Sequence, residues 1–327
     1  MGRQNVDIIT GYAQDISIKF SDNELKNTEI APILDMKAPG MKITRYQRGE
    51  QYQSGRAKRQ PGTEIETTLV ERDSVTAQTE QYAASDFITR EDLRDAGLPT
   101  HLAPPIDLAS DSLEKNAKDL DLGRELDVSS HIFAETFVDG NAGGVDVGGT
   151  WAAAATSTFL EDFDTALVLL KKNGVSTMNL RLAMDFGTFQ KIKRIDDIRE
   201  QLKYTSDRSL TADALARILQ ISKVVVCGAI KNTAQAKAGT DNFTGGYVWE
   251  PNAGKGWAFL YNYVRPTKKS LNAVIQPRSR LDNKSWRITE SYWDNKKKAW
   301  FYDSMEETDV LTTAAAAGYQ WKDTIAD

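Results

Sequence analysis

The sequence predicts an α+β fold, and three observations carry that expectation. A long stretch at 112–137 repeats its apolar residues at helical spacing, while the last third of the chain alternates with the two-residue period of strands. Between them in character, the segment 41–69 alternates only at its ends, with Met41 and Ile43 on one side and Ile65, Thr67 and Leu69 on the other. Its middle, QRGEQYQSGRAKRQPG at 47–62, offers only Tyr52 and Ala57 as apolar material. Two strands joined by so polar a tip form an extended hairpin, and a lone hairpin is marginal in water. Such an arm needs another body to lean on.

At 327 residues the chain holds one large or two ordinary domains. The net charge of −5 is too small for a protein that coats nucleic acid. The basic residues Lys42, Arg45, Arg48, Arg56, Lys58 and Arg59 nevertheless cluster in the hairpin against Glu50 alone. A basic arm on an acidic chain suits docking on an acidic neighbour, with arginines able to grip carboxylates through two bonds. These six are the expected inter-subunit contacts.

Taken in order, residues 1–40 read as an irregular arm in which 16–20 could add a strand, closed by the Lys-Ala-Pro-Gly turn at 37–40. After the hairpin, 75–97 is polar, and 85–92 suggests a short helix before the break at Gly97 and Pro99. Ser110 or Asp111 caps the long helix 112–137, whose stripe is Leu113, Ala117, Leu120, Leu126, Phe133 and Phe137, with Glu114, Lys115, Lys118, Asp119 and Glu125 on the polar face. At ~1.5 Å per residue it is a strut almost 40 Å long. NAGGVDVGG at 141–149 is a flexible connector without the lysine of a phosphate loop. Thr158 and Glu161 make a capping box for a helix with the stripe Phe159, Phe163, Ala166, Leu167 and Leu170, ending at Asn173 and Gly174.

From Met178 the order is strand, helix, helix, strand: Leu180, Leu182 and Met184 alternate, helices follow at 186–195 and 211–220, and 223–229 is a buried strand. Residues 231–246 read as a mobile loop. The closing part is β-rich, with strands at 257–264 and 271–275, a hairpin at 287–302 turning at 294–297, and a last strand near Val310.

This order of parts resembles the tailed-bacteriophage major capsid proteins of the Hong Kong 97 fold. The most specific text is LAMDFGTFQKIKRIDDIREQLKYTS at 182–206, followed by LTADALARILQISKVVVCGAIKNTA at 210–234. The resemblance implies an N-terminal arm (1–40), an extended loop or E-loop (41–72), a peripheral domain with its spine helix (73–157), an axial domain (158–255) and a peripheral β-sheet with the C-terminus (256–327). It implies a structural protein, not an enzyme, that assembles with itself into hexamers and pentamers of an icosahedral shell. That shell would enclose double-stranded DNA without reading its sequence, in a virion built in the host cytoplasm. A portal is a further expected partner; with no long helical segment ahead of the arm, the resemblance implies a separate scaffolding protein or a processed product, and Met1 at the start favours the separate scaffold. Lys42 and Lys58 could serve the cross-link that some relatives make, but no Asn partner can be assigned. The alternative is an encapsulin compartment around an enzyme cargo; encapsulins usually begin with an interior-lining helix, and residues 1–40 do not read as one.

Catalysis finds little footing. His101 sits in a loop and His131 on the strut, and with Cys227 alone there is no zinc spacing. A single cysteine makes no internal disulfide and fits a reducing compartment, and Cys227 reads as a small buried hydrophobe. The segment 252–256 lacks the first Gly and the Ser/Thr of a phosphate loop, and the adjacent pairs Asp196–Asp197 and Glu306–Glu307 read as solvated surface. No catalytic, cofactor or metal residue is expected. No stretch has the length of a membrane span, and no signal sequence opens the chain.

Overall fold

The computed structural model describes residues 24–46, 72–92, 108–203, 210–234, 242–252, 254–266, 271–281 and 285–325. The hairpin tip with Arg48, Arg56, Lys58 and Arg59, the strand expected at 65–69, the strand piece at 16–20 and His101 lie outside these residues.

A short helix, Asn27–Ile30, and strand β1, Ile33–Met36, come first. β2 (Gly40–Tyr46), β3 (Arg72–Gln78) and β4 (Glu80–Thr89) follow, then the long helix Leu108–Ala134. β5 (Val145–Asp146) precedes the helix Phe159–Lys172 and β6 (Leu180–Asp185). Three short helices, Phe186–Ile192, Asp196–Lys203 and Ala212–Ile218, lead to β7 (Lys223–Cys227). β8 (Ile230–Asn232) and β9 (Gly245–Tyr247) pair with each other. The chain ends with β10 (Trp257–Asn262), β11 (Val274–Ser279), β12 (Arg287–Asp294), β13 (Ala299–Thr308), β14 (Leu311–Thr312) and β15 (Gly318–Lys322).

Besides the separate pairs β2–β3 and β8–β9, two larger sheets hold eleven of these strands. The first has the order β5-β15-β10-β6-β7, and its central strand β10 is buried along its whole length. Trp257, Phe259 and Tyr261 stack on one face of that strand, and Phe133 and Phe137 close over them at ring distances of 5.4 and 4.7 Å. Full burial on both faces is why the strand reads as a continuous apolar run. Asp185 ties the layers together: its buried carboxylate caps the following helix through Thr188 N at 2.9 Å and accepts the Trp257 amide at 2.7 Å. The boundary expected at 255/256 falls between strands of this one sheet.

The second sheet is centred on β13, with β4 along one side and β12 along the other; β11, β1 and β14 extend it. The long helix lies across one face. Asn116 donates to the Tyr302 carbonyl at 2.7 Å, and Lys115 reaches Asp86 at 3.7 Å. Lower down, Arg287 bridges Asp121 and Glu306 at 2.6 and 2.7 Å, and Arg124 pairs with both of those carboxylates.

Several expectations change. The long helix starts earlier and ends before Phe137, and Ser110 and Asp111 lie inside it. Its buried face mixes polar and apolar residues: Ser112, Asn116, Glu125 and Ser129 join Leu120, Val128 and Ile132, with Asn116 bonded to the sheet, Glu125 to the arm and Ser129 to its own helix turn. Glu125 is therefore not on a solvated face. Glu306 is likewise buried within the ion network rather than at the surface. Of the helix expected at 85–92, residues 85–88 instead continue β4 in its ladder to β13, and helical backbone begins only at 90. The connector at 141–149 is folded: Gly144, at φ 96°, lies so close to the Gln320 main chain that a Cβ would sit 2.7 Å from it. Thr158 makes no capping bond and instead donates to Asp162 at 2.7 Å. β2 pairs with β3, and the β8–β9 pair closes the two ends of the loop expected at 231–246, whose middle lies outside the described residues. The end of the arm is core, with Ile30, Ala31 and Met36 fully buried.

Candidate assembly interface

The hairpin base is built by β2 and β3 in the register Met41↔Ala77, Ile43↔Val75 and Arg45↔Asp73. Thr79 fastens its foot by donating to the Pro39 carbonyl at 2.9 Å through its amide. Of the six expected basic contacts, Lys42 and Arg45 are described. Lys42 is exposed. Arg45 pairs across the strands with Asp73 at 2.6 Å, and its guanidinium holds that carboxyl below the usual range. Its charge is thus already engaged within the chain, and an exposed pair of this kind is easily exchanged for another partner.

The free face of the second sheet is the other exposed feature. Phe301 lies opposite Phe87 on β4 and opposite Tyr292 on β12, so one aromatic row crosses three strands. The rings stack at 5.7 and 5.4 Å, and the Lys297 ammonium stands 4.8 Å from the Phe301 centroid. Phe87 is 58% exposed and Tyr292 48%, which is a large aromatic area for a sheet face to leave in water. The hairpin expected at 287–302 contains two members of this row, Tyr292 and Phe301, without indicating that they align with Phe87. The signal was present in the two-residue period of 299–305, and only the helix on the opposite face decides which set points outward.

On the helix side, a cleft of about 350 Å³ opens between the long helix and the sheet, lined by Tyr82, Asp127, His131 and Asp309 among others. Burial, then the nearby Glu306 and Glu80, push Asp127 up; burial also raises Asp309. His131 does more than occupy the helix: its Nε2 lies 2.8 Å from Thr312 Oγ1. Cys227 is buried, and burial pushes its thiol well up. Asp196 opens a helix and lies 4.0 Å from Arg199, while Glu307 bonds Ser279, so neither adjacent carboxylate pair converges on a shared point. Among the described residues no group of His, Cys, Asp and Glu could hold a metal ion, and no helix is long and apolar enough to cross a membrane.

No protein-family profile and no curated protein matches this sequence. Solved structures do. A phage-related protein from Bordetella bronchiseptica superposes with a TM-score of 0.66 at 21% identity, covering 93% of each chain. The capsid of cyanophage P-SCSP1u gives 0.63 at 11% identity, over 97% of this chain and 93% of the other. The chain has a capsid-protein fold. An encapsulin complex from Synechococcus elongatus is similar at a TM-score of 0.52 and 8% identity, over 95% of this chain and 93% of that one. The fold is thus shared across proteins with little sequence in common.

Proposed function

We propose that this protein is the major capsid protein of a tailed phage or prophage, assembling without catalysis into hexamers and pentamers of an icosahedral shell around double-stranded DNA. The observation that carries the reading is the overlap with a phage capsid subunit along nearly the whole chain. The exposed aromatic row and the exposed Lys42 and Arg45 of the hairpin base support it, since both are surfaces that a solitary subunit leaves uncovered. In this reading the fold is of the Hong Kong 97 type, with 41–72 as the extended loop and Leu108–Ala134 as the spine helix. The five-stranded sheet with its short helices would be the axial unit, drawing in β10 and β15; the six-stranded sheet would be peripheral.

Lys42, Arg45, Arg48, Arg56, Lys58 and Arg59 would meet carboxylates of the next copy. Many modest contacts of this kind add up through multivalency. A portal and a separate scaffolding protein would be the other partners, with assembly in the host cytoplasm. Expression followed by electron microscopy tests the reading: closed shells are expected from the whole chain, and soluble, folded subunits without shells from a deletion of 44–64. Normal shells from the deletion would remove the hairpin from the argument. The encapsulin likeness gives the second reading, and nuclease-protected DNA inside particles, as against a packaged enzyme, separates the two.

A further inference from the structure

Residues 26–36 run from one sheet to the other, and side chains from several layers reach for their main chain. Glu125, fully buried on the long helix, accepts the Lys26 amide at 2.9 Å, the Asn27 amide at 2.7 Å and the Trp249 indole N–H. From the five-stranded sheet, Arg181 and Tyr261 both donate to the Glu29 carbonyl, at 3.2 and 2.8 Å. Tyr263, just beyond β10, donates to the Thr28 carbonyl at 3.1 Å, and Lys223 pairs with the Glu29 side chain at 2.6 Å. From the six-stranded sheet, Gln276 donates its side-chain amide to the Ala31 carbonyl at 2.8 Å and its main-chain amide to Pro32 at 3.0 Å. β1 then joins that sheet in parallel with β11, and Arg278 locks Asp35 at 2.6 Å. Ile30 and Ala31 sit in the core between these anchors.

A segment with this wiring cannot slide along its length without breaking bonds to both sheets. We infer that residues 26–36 are a strap that fixes the angle between the two sheets, and through it the curvature with which subunits meet. The second half of that statement rests on the shell reading; the first does not. The physical reason is stiffness. Donors on Tyr261, Tyr263, Arg181 and Gln276 all point at carbonyls of one short stretch, so rotating one sheet against the other stretches several hydrogen bonds together. A shell of one size needs each subunit to bend little from a set shape, whereas two loosely joined sheets would close into many sizes.

The test removes donors while keeping shape. Tyr261→Phe with Tyr263→Phe acts on the five-stranded side, and Gln276→Met on the other, so one variant serves if the other misfolds. Spin labels at Asp164→Cys and Glu290→Cys, both exposed positions, report the distance between the two halves, and Cys227 is too buried to be labelled alongside them. The expected result in the unassembled subunit is a broadened distance distribution and amide exchange at 26–36 at least tenfold faster, with β10 unchanged. Unaltered exchange and distances overturn the strap. A looser strap with unaltered particle diameter overturns its role in curvature. Failure of the parent chain to form any particle overturns the shell reading instead, and the subunit measurements still decide the strap.

Discussion

The five-stranded and six-stranded sheets solve the burial problem in opposite ways. β10, at the centre of the first, has every residue buried, and its aromatic face is closed by Phe133 and Phe137 from its own chain. β12, at the rim of the second, exposes four consecutive residues, and the row Phe87, Phe301 and Tyr292 faces away from the long helix. One sheet is finished by the chain that makes it. The other is covered on one face by polar contacts and an ion network, and leaves its aromatic face open. Exposed aromatic area of this kind is where a partner gains most from removing water.

The sharpest contrast comes from truncating a ring in each sheet. Phe259→Ala opens a cavity against Phe137 and Tyr261, and should cost about 3–5 kcal/mol in urea unfolding. Phe87→Ser removes a ring that is mostly in water, and should cost the subunit at most about 1 kcal/mol. Combined with Tyr292→Ser, it should nevertheless reduce particle yield. Equal destabilisation by the Phe259 and Phe87 changes would erase the distinction between the sheets.

The polar side of the six-stranded sheet should rank next. Glu306→Gln leaves Arg124 and Arg287 facing an amide where a carboxylate neutralised them, with Asp121 as their remaining anion. Loss of charge-assisted bonds at this buried position should cost roughly 1.5–3 kcal/mol. A value near zero would mean that this ion network adds nothing to holding the long helix on the sheet.

Where the sequence announced structure, the signal was local. The helix Phe159–Lys172 carries its four buried residues at helical spacing, and β7 is a plain apolar run. The short helix Asp196–Lys203 went unread although Ile195, Ile198 and Leu202 are spaced for it, because charged residues fill the gaps between them. What could not be read is what depends on distant partners. Glu125 looks like any surface glutamate until Lys26, Asn27 and Trp249 arrive from elsewhere in the chain. The strap is invisible for the same reason, since its anchors bond main-chain atoms that every residue has. Ile88 and Phe87 are neighbours in sequence, one buried and one exposed, and only the position of the long helix tells them apart. The hairpin base was legible from the alternation of Met41 and Ile43, which pair with Ala77 and Val75 of β3.

The smallest expected effect concerns the cleft between helix and sheet. Burial holds the His131 ring below its ordinary value of 6.5, against the pull of Glu135 and Asp309. The folded chain therefore binds this proton less readily than the unfolded chain does. Stability from His131 is present above pH 6.5 and is lost as pH falls through that value toward the lowered one. Asp127 and Asp309 line the same cleft and are shifted upward, so acid favours their folded forms and masks the trend. The informative quantity is accordingly a difference. His131→Gln can keep the bond to Thr312 while removing the titration, so its melting temperature should fall less than the parent's between pH 7 and pH 5. Parallel curves for the two proteins would mean that the ring titrates as it does in water, and that the cleft beside the long helix is wetter than its lining suggests.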